Sequence, residues 1–328
     1  MRRLALCVVV VFAVACGASA PVPGIAQPAA KAVVWPLRGT AAPNGDVITR
    51  RPIVVKVPND PAARPQSGLA SADMIWELPV EGGITRYALL FHSQDASQVG
   101  PVRSARLSDL QYVPSLKAIL AHVGGSEPVL AKIRPAAERG EFVDVDEFTK
   151  ANAFERVGGK QAPYNAYTST AKLREAAGDS ARIDVPAFAF SDEAPKGGTP
   201  ASSFSVALSS RATYTWNGGS WKRAQDGQAT KDAAGGQDVS PVNVVIVKTD
   251  VTEIPGTADV TGAASVDFRS TGSGTAIVFR DGMRIDGTWS RQEGEMYRFA
   301  DAGGAEIRLK PGLTWLHVVP KDMAVDAG

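Results

Sequence analysis

The first fifteen residues separate the start of the chain from everything that folds after it. Arg2 and Arg3 form a short basic region, and twelve unbroken apolar residues follow, from Leu4 to Ala15. This apolar run is shorter than the roughly 20 residues of a membrane-spanning helix and is typical of a signal-peptide core. We therefore predict that residues 1–15 are an export signal, and that the rest of the chain builds the fold.

Removal of this leader leaves one cysteine. Cys7 departs with the leader, so only Cys16 remains and no intramolecular disulfide can form. The stretch Ala13-Val14-Ala15-Cys16-Gly17 resembles the lipobox of bacterial lipoproteins, although Ala13 stands where Leu is usual. The resemblance implies lipid attachment at Cys16 and a place on the outer face of the bacterial cytoplasmic membrane. Cleavage without acylation predicts a secreted or periplasmic protein instead.

Composition restricts the partners of the exported chain. A hydrophobic content of 44% excludes disorder throughout. Removing Arg2 and Arg3 from the 35 Lys and Arg leaves 33, against 34 Asp and Glu, a net charge of −1. Because no global basic field exists, nucleic acid is excluded as a partner, and the membrane is reached through the Cys16 anchor. The length of 328 residues favours two domains after the leader.

The chain divides by its local patterns. Residues 16–45 are rich in Ala, Pro and Gly, which predicts a lipidated flexible tether, with Trp35 and Leu37 docking on the domain as a hydrophobic clip. Alternating strand and helix patterns predict an α/β (α+β) domain with a mixed sheet over residues 46–198. Its predicted strands cover residues 52–57, 73–80, 84–92 and 117–123. Its predicted helices begin at Arg103 or Ser104 (ending near Pro114), after Ser126 (ending by Gly140) and after Ser169 (ending at Gly178).

The second half of the chain has a different pattern. Lys196-Gly197-Gly198-Thr199-Pro200 is a candidate boundary, and no long helical period follows it. Short alternating strands are separated by turn signals such as Asp226-Gly227 and Asp281-Gly282. Residues 199–328 are therefore predicted to form a β-rich domain, either a meander sheet or a small barrel.

Several motifs resemble the YerB-like family of bacterial lipoproteins. The most specific is Gly100-Pro101-Val102-Arg103-Ser104-Ala105-Arg106, and the second half contributes Val278-Phe279-Arg280-Asp281-Gly282. The resemblance covers nearly all of the mature chain. It implies an exported lipoprotein of two domains and carries no activity with it. Members commonly have His where this chain has Tyr164, so we do not assign Tyr164 as a general base.

Three arginines in this motif region suit an anion. Guanidinium groups bind phosphate or carboxylate through paired hydrogen bonds. A glycine turn that opens a helix offers free backbone amides at the positive end of the helix dipole. We therefore predict a site for an anionic small molecule or an envelope protein. The predicted ligand-binding residues are Arg86, Arg103, Arg106, His122, Gly124, Gly125, Ser126, Asn165 and Thr168.

Two other interpretations of these residues stay open. In the first, the three arginines are structural and pair with Asp73, Glu77 and Glu81. In the second, the protein is an envelope polymer enzyme, a Mg²⁺-dependent phosphotransferase or hydrolase that acts on a pyrophosphate-linked glycan. Asp73 and Glu81 are then the candidates for acid/base work or for binding Mg²⁺, with His122 as a further proton carrier. Outside this second interpretation no cofactor is expected, and no residue is assigned as catalytic.

The remaining titratable groups have plainer interpretations. His122 lies on an apolar strand, where a hydrogen-bonded core histidine is the common case. His92 and His317 are isolated in the sequence, so no zinc site is predicted. The acidic run of Asp144, Asp146 and Glu147 alternates with apolar residues, which indicates the solvated face of a strand more than a calcium site.

Overall fold

The structure, a computed structural model, describes residues 32–178, 180–208, 210–257 and 262–327. The predicted signal peptide and Cys16 lie outside these residues. The described α-helices are α1 (Val113–Leu116), α2 (Glu127–Glu138) and α3 (Thr170–Ala177), and the 3-10 helices are Val47–Thr49, Pro61–Ala63, Glu81–Gly83, Leu107–Gln111 and Ala151–Ala153. The described strands are β1 (Ile53–Pro58), β2 (Met74–Pro79), β3 (Thr85–Phe91), β4 (Ile119–His122), β5 (Val143–Asp146), β6 (Glu155–Arg156), β7 (Ala166–Tyr167), β8 (Thr199–Pro200), β9 (Ser203–Ala207), β10 (Arg211–Trp216), β11 (Trp221–Gln225), β12 (Gln228–Ala229), β13 (Asn243–Thr249), β14 (Val251–Ile254), β15 (Ser265–Phe268), β16 (Gly272–Arg280), β17 (Met283–Arg291), β18 (Arg298–Asp301), β19 (Thr314–Pro320) and β20 (Asp326–Ala327).

One mixed sheet of eleven strands runs through both halves of the described chain. Its order is β18-β17-β16-β13-β19-β2-β3-β1-β4-β5, with β8 paired to β17. Strands β1, β4 and β5 pair in parallel, whereas β3 runs antiparallel to its neighbours β1 and β2. The two halves join where β19 pairs in parallel with β2, which places His317 opposite Glu77. The sheet therefore continues across the predicted boundary near residue 198.

Alternate side chains of this sheet supply two hydrophobic cores, as a period of two residues requires. Val54 and Leu120 belong to the core that α2 covers, through Val129 and Ile133. Neighbouring residues such as Val55 face the other core. That second core is covered by α3 and by a separate five-stranded antiparallel sheet in the order β12-β11-β10-β9-β20. The predicted fold class, a mixed sheet followed by a β-rich half, is confirmed.

The helix signals after Ser126 and Ser169 are confirmed. Helix α3 begins after Ser169, whose hydroxyl accepts a hydrogen bond from the Lys172 amide, and it ends at Gly178 with a φ of +59°. A left-handed residue at this position ends a helix at low cost only when it is glycine. Helix α2 follows Ser126 as predicted, with a proline in its first turn.

The helix predicted to begin at Arg103 or Ser104 is wrong. Residues Arg103 to Ala105 are extended, and only a 3-10 helix at Leu107–Gln111 and the short α1 follow. The reason is tertiary, because the backbone amide and carbonyl groups of this segment hydrogen-bond to strands on both sides instead of to each other.

The folded part of the chain begins before residue 46. Trp35 retains only 7% of its exposure and Leu37 is fully buried, as the predicted hydrophobic clip requires. Val34 forms an isolated bridge with Ala41, so residues 34–41 make a folded turn that the sequence assigns to the tether. Within the described ranges, no helix combines the length and the apolar character needed to span a membrane.

Candidate functional site

Several of the predicted site residues meet at one edge of the main sheet. Strands β1, β2, β4 and β5 run in the same direction, so their carboxyl ends lie together. Arg86 joins them because β3 runs the opposite way and begins at this edge. Glu81 follows the end of β2, and His122 ends β4. In open α/β sheets, ligands bind in the crevice outside the carboxyl ends of the strands.

The Gly100–Arg106 motif fills a fork in the sheet at this edge. The pairing of β1 with β4 ends at Val55 and Ala121. Beyond it the Arg103 amide donates to the carbonyl of Lys56 (2.8 Å), while the Arg103 carbonyl accepts from the Val123 amide (3.1 Å). One residue pair further on, the Ala105 amide donates to the carbonyl of Gly124 (2.9 Å). The backbone of this segment is therefore held on both sides, which gives its arginines fixed positions.

Arg86 is a buried cation with no carboxylate in contact. It retains 3% of its exposure, and its Nη1 donates to the Ser104 carbonyl at 3.3 Å. Its Nε is buried without an acceptor, and no carboxylate of the described residues lies within 4.0 Å of its guanidinium. A buried charge without a partner is costly, and a bound anion would offset part of that cost.

Arg103 repeats this pattern, and Arg106 does not. The Arg103 guanidinium lies 5.9 Å from the centre of the Tyr164 ring, and its buried Nε has no acceptor among the described residues. Arg106 donates from Nε to the Glu81 carboxylate at 2.5 Å. We call Arg86, Arg103 and Arg106 the arginine cluster. Only one of its three guanidinium groups is paired with an internal carboxylate, so the structural interpretation explains Arg106 alone.

Burial and mutual repulsion perturb the ionisation of Arg86 and Arg103. Burial, followed by the positive charges of Arg106 and Arg103, lowers the pKa of Arg86 to about 9, against the opposing charges of Glu81 and Asp60. Burial and Arg106 also lower the pKa of Arg103. With a pKa of about 9, the Arg86 guanidinium remains charged at neutral pH. A bound anion would relieve this repulsion and supply the missing hydrogen-bond acceptors.

Lys56 and Asp109 lie beneath the arginine cluster and were missed by sequence reasoning. The Lys56 Nζ donates to Asp109 Oδ1 at 2.5 Å, and both side chains are fully buried. Burial lowers the pKa of Lys56 against the opposing effect of Asp109, and Arg86 and Arg106 lower it further. The Asp109 carboxylate also accepts from the Tyr112 hydroxyl and the Arg106 amide, both at 2.8 Å. A lysine in the middle of an otherwise apolar β1 is the sequence signal that could have found this pair.

His122 is a buried, ion-paired histidine. Its Nε2 lies 2.8 Å from Asp144 Oδ1 and its Nδ1 lies 2.9 Å from the Gly124 carbonyl, so the doubly protonated ring donates both bonds. Burial alone would lower the pKa of His122, but the hydrogen bond and charge of Asp144, with Asp146 beyond it, raise it. Asp144 and Asp146 therefore hold this histidine and its turn, which corrects their interpretation as a solvated strand face. His122 makes no hydrogen bond or ion pair with the arginine cluster.

The sequence predicts free backbone amides at the glycine turn before α2, and within the described residues two of the three amides are free. The Gly124 amide is already used, because it donates to Asp146 Oδ1 at 2.8 Å. The amides of Gly125 and Ser126 donate to no acceptor among the described residues. Gly125 stands directly beside the motif, since a Cβ at this position would lie 3.6 Å from the Ala105 carbonyl oxygen. Two free amides at the start of α2 therefore adjoin the arginine cluster.

Three predicted residues are not brought into the arginine cluster. The Thr168 hydroxyl is buried and donates to the Ala153 carbonyl (2.6 Å), and the Asn165 side chain accepts from Arg156 (3.0 Å). Asp73 precedes β2 and so lies at the opposite edge of the sheet, about 20 Å away for six strand residues at about 3.3 Å each. There the Asp73 carboxylate accepts hydrogen bonds from the amides of His92 and Ser93.

The enzymatic interpretation requires Asp73 and Glu81 to act at one site, and the structure separates them. Asp73 lies at the far edge, and Glu81 is occupied by Arg106. Within the described part of the chain, no group of three or more His, Cys, Asp or Glu side chains is arranged to hold a metal ion. The groups that do meet at the near edge are cations and amides, which suit binding of an anion.

Comparison with known proteins assigns the chain to a family. The family described as "Protein of unknown function (DUF3048)" matches twice, its N-terminal domain over residues 37–183 and its C-terminal domain over residues 203–316. The "Putative lipoprotein YerB" of Bacillus subtilis (strain 168) is 30% identical over 331 residues, covering 98% of this chain and 95% of that protein. The crystal structure of YerB protein from Bacillus subtilis is similar with a TM-score of 0.76 at 27% identity, covering 90% of this chain and 99% of that one. The chain therefore belongs to the DUF3048 family of YerB-like proteins.

Proposed function

We propose that this protein is an exported, lipid-anchored envelope protein that binds an anionic group at the arginine cluster. The observation that carries the proposal is the pair of guanidinium groups, on Arg86 and Arg103, that have no carboxylate partner in a rigid fork of the sheet. The free amides of Gly125 and Ser126 support it, because hydrogen-bond donors beside fixed cations favour phosphate or carboxylate.

Binding at this site differs from a structural role in its effect on stability. If Arg86 and Arg103 served only the fold, their removal would destabilise the protein. If they are kept for a ligand, the unbound protein carries an uncompensated charge. Removing that charge then removes its energetic cost and stabilises the unbound protein. The two roles therefore predict changes of opposite sign in the free energy of unfolding.

Arg103→Ala is expected to weaken binding of inorganic phosphate or pyrophosphate about 10- to 100-fold, because a hydrogen bond to a charged group contributes about 1.5–3 kcal/mol. Arg86→Met is expected to abolish binding and to raise the free energy of unfolding by about 1–3 kcal/mol. Titration calorimetry at low, matched ionic strength measures the first effect, and urea unfolding measures the second. Arg139→Ala is the matched control, since its side chain is 63% exposed and the charge change is the same. Equal loss of affinity in the control would show that binding follows net charge and not this site, and destabilisation by Arg86→Met would show that the arginines are structural.

Membrane attachment through Cys16 is the second part of the proposal. It is supported by the lipobox-like stretch and by the name of the Bacillus subtilis relative. Cys16→Ser is expected to abolish incorporation of a palmitate analogue and to move the protein from the membrane fraction to the soluble or secreted fraction. Labelling and fractionation of cells that express the full chain measure this, with Cys7→Ser as the control. Retention of the label in Cys16→Ser would contradict the assignment.

A further inference from the structure

Phe148 is displayed to solvent beside the predicted anion site. The large hydrophobic side chains exposed in the described residues are Val33, Val34 and Phe148, and Phe148 is the most exposed, at 75%. Single exposed apolar residues are ordinary on protein surfaces. Two further observations set Phe148 apart: its backbone is fixed, and its contacts lead to the arginine cluster.

The backbone around Phe148 is held by one carboxylate and one carbonyl. The Phe148 amide donates to Asp146 Oδ1 at 3.2 Å, and the same oxygen accepts from the Gly124 amide at 2.8 Å. The next two amides, of Thr149 and Lys150, both donate to the Asp146 carbonyl, at 3.1 and 2.8 Å. The turn therefore fixes the position from which the Phe148 side chain projects.

The ring of Phe148 lies against the backbone of Gly124. A Cβ at Gly124 would come within 2.7 Å of the ring, and the φ of this residue is +58°, so glycine is required here for two reasons. The ring therefore contacts Gly124 along one side and is otherwise exposed. An exposed aromatic ring held at one point is suited to packing against a flat or apolar group.

Continuous contacts join Phe148 to the arginine cluster by two routes. On one side, the Gly124 carbonyl accepts from the Ala105 amide, which adjoins Arg106. On the other side, Glu147 pairs with Arg156, and Arg156 donates to Asn165. Asn165 follows Tyr164, whose ring faces Arg103. The segment that carries the exposed ring and the segment that carries the arginine cluster are therefore in direct contact, through Gly124 and Ala105.

We infer that the anion bound here is the phosphate ester of a ring, a glycosyl or aryl phosphate, whose phosphate meets the arginine cluster and whose ring packs on Phe148. The inference rests on the proposed function and narrows its ligand class. Inorganic phosphate satisfies the guanidinium groups and the amides of Gly125 and Ser126 but leaves Phe148 unused. Stacking of a ring on an aromatic side chain is strong enough to change affinity by about tenfold or more.

The test compares phenyl phosphate and glucose 1-phosphate with inorganic phosphate, by titration calorimetry on the full chain. The ring-bearing esters are expected to bind about tenfold more tightly than inorganic phosphate to the unaltered protein. In Phe148→Ala this ratio is expected to fall to about one, and in Phe148→Tyr, which keeps the ring, it is expected to stay near ten. Arg103→Ala is expected to weaken all three probes.

The outcomes separate this inference from the proposed function. If inorganic phosphate binds but the ratio is near one in the unaltered protein, or is unchanged in Phe148→Ala, the ring inference is overturned and the anion site stands. If none of the probes binds, both fall. A second arm uses vesicles of phosphatidylinositol and phosphatidylglycerol, which differ in whether a ring follows the phosphate. A preference for phosphatidylinositol that Phe148→Ala removes supports the inference with a lipid as the source, whereas a ring preference seen only in solution supports it with a soluble source.

Discussion

Glu77→Ala is expected to lower the free energy of unfolding by about 3–5 kcal/mol, because it leaves a buried guanidinium without its counter-ion. Glu77 Oε2 accepts from Arg223 Nη2 and from Trp315 Nε1, both at 3.0 Å. Burial would raise the pKa of Glu77, but the neighbouring His317 ring, the charge of Arg223 and the hydrogen bonds from Thr85 and Trp315 lower it, so the carboxylate is ionised at neutral pH. Domains commonly have 5–15 kcal/mol of stability, so this single change removes a large part of it.

The network around Glu77 explains why the effect is large. Glu77 comes from β2 in the first half of the chain, whereas Arg223 and Trp315 come from the second half. The Arg223 guanidinium lies 4.1 Å from the centre of the Trp315 ring and is fully enclosed by hydrogen-bond acceptors. Its further acceptors are the Tyr214 hydroxyl, the Thr230 hydroxyl, the Tyr87 hydroxyl and the Gln225 side chain.

Urea unfolding of the purified protein measures this loss. Glu77→Gln keeps the shape and most hydrogen bonds, so it is expected to fall between Glu77→Ala and the unaltered protein. Glu253→Ala is the matched control, because Glu253 is exposed on β14 and such substitutions change stability by about 0.5 kcal/mol or less. A loss below about 1 kcal/mol for Glu77→Ala would contradict a joining role for this network.

Acidification from pH 6.5 to pH 4 is expected to destabilise the protein by about 2–3 kcal/mol at each of two buried histidines. Burial, with help from Arg50, lowers the pKa of His92 to about 3. Burial and Arg223 lower the pKa of His317 to about 4 and outweigh the attraction of Glu77 at 3.5 Å. In this range the unfolded chain takes up a proton at each ring while the folded protein does not. Stability therefore falls as pH falls.

His122 provides a contrast of opposite sign. Because its pKa is raised in the folded protein, its contribution is fully present below about pH 6.5 and is lost as pH rises through the folded pKa. Unfolding measured across pH 4–9 is expected to show a flatter acid limb in His317→Gln than in the unaltered protein, relative to each variant's own value at pH 7. In His122→Gln, only the neutral and alkaline limb is expected to change. An unchanged acid limb in His317→Gln would show that this histidine is not the buried neutral group described here.

Sequence reasoning found the local elements and the motif, but not how the charges pair. The strand and helix signals around β1, β4, α2 and α3 depend on neighbouring residues, so they can be read from the chain. The helix predicted at Arg103 failed because the strand partners of that segment, at Lys56 and Val123, are set by the tertiary fold. The pairing of Arg106 with Glu81, and the lack of any such partner for Arg86 and Arg103, is likewise a matter of distances in space.

The amino-acid sequence by itself predicts the export signal and the anchor at Cys16, and it contains the two compositional halves and the cationic motif, because each depends on residues that are neighbours in the chain. Tertiary structure alone decides that β19 pairs with β2 and that the Glu77 carboxylate meets Arg223, 146 residues further along. It also decides that Asp73 lies at the opposite edge from the arginine cluster. The physical reason is that burial and charge pairing depend on through-space distance, which short stretches of sequence do not encode.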